Sequence, residues 1–151
     1  MTEPEPDVTS SRPSDPKIVV RAARGSDVRA LSALIEPFVQ KRILLPRTID
    51  ELALLLPNYF IAESEGRIIG CAALEIYSSK LAELRSLVVS PDFQGFGVGK
   101  LLVEACVERA RDERVLEVMA ITSSEEFFRS CGFDFTLPGE KKALFFQTRE
   151  R

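Results

Sequence analysis

Between a strongly apolar stretch and an amphipathic one lies Gln94-Gly95-Phe96-Gly97-Val98-Gly99-Lys100, with three glycines at alternate positions. Glycine reaches positive φ at no steric cost and lets backbone N–H groups approach a bound anion. The first turn of a following helix adds unpaired donors and the positive end of its dipole. The chemistry on offer is anion binding, and a pyrophosphate fits it. A nucleotide P-loop, G-x-x-x-x-G-K-[ST], is excluded because Gln94 stands where its outer glycine belongs and Leu101 where its hydroxyl belongs. A dinucleotide G-x-G-x-x-G fails too, since Lys100 and Leu102 occupy the third glycine's place in the two registers. What survives is Q-x-x-G-x-G, or a tight connection in which glycine serves packing alone. A second candidate is Arg47, one residue before Thr48. If Thr48 caps a helix, a guanidinium and a helix N-terminus converge, and such a pair favours a carboxylate. The bland alternative is a surface pair with Asp50 or Glu51.

These residues need elements to hold them. Residues 17–21 read as a short strand, and Ser26 as the cap of a helix whose apolar positions Val28, Leu31, Leu34, Ile35 and Phe38 recur at three- and four-residue spacing. Thr48 and Glu51 form a capping box for a second helix, about 49–56, which Pro57 stops. NYFIAES, a turn at Glu65-Gly66, and RIIGCAALEIY read as a hairpin, with LAELRSLVV as the next strand. Simple alternation puts Glu83, Arg85, Leu87 and Val89 on one face of that strand and Leu84, Ser86 and Val88 on the other, and a bulge would change the register. The glycine loop opens a helix through Ala110. VLEVMAIT is then a strand, SEEFFRSCGF a short helix ended by Gly132, and FDFTLP and ALFFQTRE two closing strands. The order β-α-α-β-β-β-α-β-α-β-β is that of an α+β layer fold, with helices on both faces of a mixed sheet.

At 151 residues the chain holds one core, and we expect one domain over 17–151. Residues 1–16 carry four of the nine prolines and little apolar surface, and read as a flexible tail. Twenty basic against 23 acidic side chains, net −3, leave no cationic footprint for nucleic acid. With no His, and with Cys71, Cys106 and Cys131 scattered in apolar segments, the expectation is three reduced core cysteines and no metal. No apolar run is long enough for a membrane span, and no leader pattern precedes the fold, so a cytoplasmic location is the default. A homodimer stays open.

LRSLVVSPDFQGFGVGKLL resembles the acyl-CoA-binding segment of the GNAT superfamily of N-acetyltransferases, usually written [RQ]-x-x-G-x-[GA]. The resemblance extends in element order from about Ile18 to Phe133. It implies the GNAT fold and acetyl-CoA as cosubstrate. The pantetheine arm would lie along the backbone of Leu87, Val88 and Val89, and the diphosphate on Gln94, Gly95, Phe96, Gly97, Val98, Gly99 and Lys100. It also implies an amine acceptor, which must lose a proton before it attacks the thioester. Glu83 matches the position where many relatives carry a basic glutamate; the bland alternative is a pair with Arg85 on a solvated face. A backbone N–H near Leu87 or Val88 would hold the oxyanion. Where many relatives have Phe-Tyr, this chain has Phe127-Phe128, so the usual phenolic acid is missing and Thr122 is the next hydroxyl expected near the thiol.

ALIEPFVQKRILLPRTIDEL, GCAALEIY, LAELRSLVVSP and AITSSEEFFRSCGF together are similar to the acetyltransferase domain of N-acetylglutamate synthases. That likeness implies L-glutamate as acceptor, with Arg47 and Ser86 facing it. Lys141, beside Lys142, stands in the place of basic residues that complete the site in relatives. The fused amino-acid kinase domain of some relatives is not part of this sequence. Another small amine, amino acid or protein terminus as acceptor, and a non-catalytic acyl-CoA-binding module, are the alternatives.

Overall fold

The computed structural model describes residues 15–136 and 139–149, so most of the expected tail lies outside the described residues. Packing groups the chain into two compact units, Met1–Ile121 and Thr122–Arg151. The first contains strands β1 (Val19–Ala22), β2 (Tyr59–Ser64), β3 (Arg67–Ile76), β4 (Leu81–Val89) and β5 (Glu117–Met119), with helices α1 (Val28–Gln40), α2 (Ile49–Leu55) and α3 (Val98–Asp112). The strands form one sheet in chain order; neighbours run antiparallel except β4 and β5, which are parallel. This is the expected mixed sheet of an α+β fold.

Period-2 alternation divides the sheet between two layers. Tyr59, Ile61, Cys71, Ala73 and Val88 pack with Leu31 and Ile35 of α1 and Leu52 of α2 in one cluster. On the opposite face Gly70 lies beneath α3: a Cβ there would stand 3.2 Å from Leu102 Cδ1 and 3.3 Å from Val98 Cγ1. The missing side chain lets the helix sit close to β3, and Val98, Leu102, Val103 and Cys106 are buried there. Arg109 straps the far end of α3, donating to Pro57 O at 2.9 Å and stacking over Phe60 at 4.1 Å.

Ser26 is not the cap of α1. A 3-10 turn, Gly25–Asp27, precedes that helix, and the Asp27 carboxylate accepts from Arg24 N–H at 2.6 Å and from the Arg21 guanidinium at 2.8 and 2.9 Å. A carboxylate locked by an arginine from β1 is a stronger acceptor than a neighbouring hydroxyl. Thr48 does cap α2, its Oγ1 accepting from Glu51 N–H at 3.1 Å, and a 3-10 turn, Leu56–Asn58, finishes that helix.

The strand face read from simple alternation is also corrected. Val88 pairs with Cys71 but Arg85 with Ala73, so three steps on β4 match two on β3. Ser86 takes up the extra residue at φ 55°, a left-handed conformation uncommon for a side chain with a Cβ. Cys71 Sγ donates to Ser86 O at 3.4 Å and ties the bulge down. Beyond it Val88 turns to the α1/α2 face, the face that Glu83 and Arg85 already occupy.

The second unit contains α4 (Glu125–Ser130), ended by Gly132 at φ 95° as its glycine predicts. Phe128 meets Phe127 and Phe133 edge-on at 5.2 and 5.3 Å. The two closing strands do not form among the described residues: 133–136 and 141–148 carry no strand pairing. Likewise VLEVMAIT yields only the three residues of β5. Strand propensity needs a partner edge to become a strand.

Candidate active site

The parallel pairing of β4 with β5 covers only Leu81–Glu83 against Glu117–Met119. From Leu84 to Val89, β4 is hydrogen-bonded on its β3 side and has no strand on the other among the described residues. Leu87, Val88 and Val89, the positions expected to bond a pantetheine arm, lie on this open edge. Unpaired strand groups of this kind accept an extended ligand as an added strand. The Val88 side chain is itself buried in the core, so its offer is backbone alone.

The strand runs into a 3-10 turn, Pro91–Phe93, and then the glycine loop. Gln94 is exposed, and its Nε2 donates to Val89 O at 3.1 Å, which pins the loop to the end of β4. Gly95 and Gly97 take φ 88° and 78°, with nothing within 4 Å of where a Cβ would stand. Backbone conformation, not space, is what requires glycine at these two positions. Gly97 caps α3, and no side chain supplies a capping bond. The first i→i−4 bond of α3 runs from Leu101 N–H to Gly97 O at 3.1 Å, so the N–H groups of Val98, Gly99 and Lys100 precede the helical ladder. Val98 anchors this turn with a buried side chain, while Phe96 and Lys100 are exposed. A row of free donors at a helix N-terminus suits a diphosphate. Gly95, Phe96, Gly97, Val98, Gly99 and Lys100 are therefore the residues that would hold that part of coenzyme A, mostly through their backbone.

On the α1/α2 face a small open cleft is lined by Arg47, Leu55, Asn58, Tyr59, Ala73, Glu75, Arg85 and Ser86. The structure thus brings Arg47 and Ser86 together, as expected, from segments 39 residues apart in the chain. The bulge achieves this by letting consecutive residues, Arg85 and Ser86, reach the same cavity. Arg47 is half-buried and makes no ion pair with Asp50 or Glu51; Glu51 instead accepts from the Thr48 hydroxyl at 3.3 Å. Arg85 donates to Glu75 at 2.7 Å, a bond that raises its already high pKa. Burial pushes the Tyr59 phenol up, partly offset by the Ser86 hydroxyl and the nearby guanidinium charges. It stays a neutral donor at the cleft floor. The thiols of Cys71 and Cys106 are pushed up to about 12 by burial, which makes them packing groups rather than nucleophiles.

Glu83 lies just outside the cleft lining, opposite Glu75 on the same face. Its bond is not to Arg85: Tyr77 Oη donates to Glu83 Oε1 at 2.6 Å. Thr122 and Lys141 fall in the second unit. Thr122 Oγ1 accepts from Ser124 N–H at 2.8 Å, an ST-turn that leaves its own O–H free to donate, and Lys141 is exposed. Among the described residues no cluster of His, Cys, Asp or Glu is arranged to hold a metal, and no helix is long and apolar enough to cross a membrane. Sequence reasoning missed Asn58, Tyr59, Glu75, Tyr77 and Arg85. The hairpin count that sets Glu75 opposite Glu83 was a usable signal for Glu75 and Tyr77, and the alternation that puts Arg85 on the face of Glu83 was one for Arg85.

Residues 28–133 match the model of the acetyltransferase (GNAT) family. An uncharacterized N-acetyltransferase of Chlorobaculum tepidum is 37% identical over 114 residues, 76% of this chain and 74% of that protein. The amino-acid acetyltransferase of Mycobacterium tuberculosis is 35% identical over 82% of this chain and 72% of its own length. That of Pasteurella multocida is 33% identical over 82% of this chain, which spans only 29% of the longer protein. A Mycobacterium tuberculosis crystal structure in complex with CoA and NLQ superposes with a TM-score of 0.73 at 34% identity, covering 79% of this chain and 73% of that one. N-acetylglutamate synthase from Neisseria gonorrhoeae, complexed with coenzyme A and N-acetyl-glutamate, gives 0.74 at 28% identity over 85% of this chain and 31% of that one. With the open β4 edge and the donor-rich start of α3 already in place, these likenesses establish that the chain belongs to the GNAT family and is an acetyl-CoA-dependent N-acetyltransferase.

Proposed function

We propose that the chain transfers the acetyl group of acetyl-CoA to the α-amine of L-glutamate. The observation that carries this reading is the cleft beside the open edge of β4, where the guanidinium of Arg47, free of any ion pair among the described residues, faces the same space as Arg85, Ser86 and Tyr59. Cationic and hydroxyl donors in one half-buried cleft suit carboxylates. The relatives named amino-acid acetyltransferase support an amino-acid acceptor.

Acetyl-CoA supplies an activated acyl carbon. Glu83 takes the proton from the acceptor ammonium, directly or through water, and the freed nitrogen lone pair forms the new C–N bond. The C–S bond breaks with its electron pair on sulfur, and the second proton, shed by the nitrogen as it becomes an amide, neutralises the thiolate through solvent. A thiolate leaves readily, so the absence of a tyrosine at position 128 weakens the acid step without blocking transfer.

A second reading has an observation of its own. Glu75 takes up the charge of Arg85, which leaves Arg47 to meet a single carboxylate, as in an amino acid with a neutral side chain. A thiol-release assay with acetyl-CoA against acidic and neutral amino acids, polyamines and peptides separates these readings. A preference for L-glutamate supports the first, a preference for neutral amino acids the second, and turnover of polyamines or peptides alone removes both.

A further inference from the structure

Glu75 and Glu83 stand directly opposite one another across β3 and β4, on the face they share with Ala73 and Arg85. Like charges placed this way repel. The structure answers with two donors: Arg85 Nη1 donates to Glu75 Oε2 at 2.7 Å, and the Tyr77 hydroxyl, 3.5 Å from Glu75 Oε2, gives its proton to the much nearer Glu83 Oε1 at 2.6 Å. Tyr77 sits on that same face, two residues past Glu75 and diagonal to Glu83. Its N–H donates to Leu81 O at 3.0 Å, so the hairpin fixes its backbone. The ring is about half exposed, which means that packing alone does not hold it over the carboxylate.

We propose that Tyr77 is the positioning residue for Glu83, its phenol holding Oε1 so that Oε2 is the oxygen presented to the acceptor amine. This rests on the reading of Glu83 as base. Rotation about the last torsion of a glutamate is otherwise broad, and a short O–H···O⁻ bond removes that freedom. The phenol is suited to the task because it stays protonated. The Glu83 bond, together with the charges of Glu83 and Glu75, pushes Tyr77 up to about 12, against the opposing pull of Arg85. Neither residue's neighbour is redundant, since Arg85 is committed to Glu75 and no other hydrogen bond to Glu83 is made among the described residues.

The test is a double-mutant cycle with L-glutamate and acetyl-CoA, read as kcat, both KM values and the melting temperature. Tyr77→Phe is expected to lower kcat on the order of tenfold, with the acetyl-CoA KM and melting temperature unchanged. In a Glu83→Gln background the same replacement is expected to change kcat by less than about twofold, because the group it positions is gone. An equal loss in both backgrounds, or no loss in the wild type, overturns the proposal while leaving the base in place. Wild-type kcat in Glu83→Gln removes the base reading itself, and the proposal with it. A second readout needs no acceptor: the chain has two tyrosines and no tryptophan, so phenolate absorbance reports on Tyr59 and Tyr77 alone. In Glu83→Ala one phenol should titrate at lower pH than in the wild type, because the bond to Glu83 is the largest of the causes that raise Tyr77. Two unshifted phenols would show that the bond to Glu83 does not form in solution, and would overturn the proposal.

Discussion

Arg47→Ala is the sharpest perturbation of the acceptor cleft, because the structure gives Arg47 nothing to do for the fold. It is half-buried in the cleft wall and has no carboxylate partner among the described residues, while Arg85 is already bonded to Glu75. The three charged groups of the lining, Arg47, Arg85 and Glu75, sum to one net positive charge, and the substitution takes this to zero. A hydrogen bond to a charged group contributes about 1.5–3 kcal/mol. At about 1.4 kcal/mol per tenfold, its loss should raise the L-glutamate KM roughly ten- to a hundredfold. The acetyl-CoA KM should move less than about threefold, since the glycine loop and β4 edge are untouched. Arg47→Lys should recover part of the loss, a point charge replacing a bidentate fork. Initial rates of thiol release at varied glutamate and fixed acetyl-CoA, then the reverse, measure both constants. Equal increases in the two KM values, or a glutamate KM that does not move, would refute the assignment of Arg47 to the acceptor carboxylate.

Two glycines separate function from stability. Gly97→Ala forces a side chain into φ 78° with open space around it, so it should cost about 1–2 kcal/mol of backbone strain and weaken CoA binding by calorimetry. Gly70→Ala instead meets Val88 O at 3.2 Å and the α3 side chains. It should destabilise by about 1–3 kcal/mol in urea melts, with both KM values near wild type in the folded fraction. Asp27 carries an acid prediction. The hydrogen bond from Arg21, with help from Arg24 N–H, holds its pKa at about 2, below the unfolded value of about 3.9. Its folded pKa is depressed, so its contribution is full above pH 4 and is lost as pH falls through about 2. Asp27→Asn should thus be less stable than wild type at neutral pH by up to about 2.5 kcal/mol, and the two should converge near pH 2 in acid melts. A constant offset across that range would show that the carboxylate charge is not what stabilises the β1–α1 corner.

The local code was legible where neighbours in sequence are neighbours in space. Thr48 caps α2 through the Glu51 N–H, though the Glu51 carboxylate takes the Thr48 hydroxyl and leaves the reciprocal half of the box unmade; Glu65-Gly66 turns the β2–β3 hairpin, and the alternate glycines from Gly95 open α3 on an αL residue. From these came the anion-binding loop, the element order up to α4, and Arg47 as a carboxylate candidate. Backbone sterics and hydrogen bonds between residues a few positions apart fix such features, and they leave a mark in the sequence. The β4 bulge is different. Nothing in LAELRSLVV announces that Ser86 turns left-handed, because the cause lies in β3 and the core, where Cys71 holds the Ser86 carbonyl and Val88 must reach the α1/α2 cluster. That one-residue slip decided which side chains share the acceptor cleft, sending Ser86 in beside Arg85. It was likewise the pairing of strands, set by the whole sheet, that gave Glu75 to Arg85 and Glu83 to Tyr77. The chain alone determined that unpaired backbone donors would gather behind alternate glycines at the start of α3; only the packed sheet decided which acidic and basic groups would stand around the cleft, since that depends on register between strands and register is a long-range property.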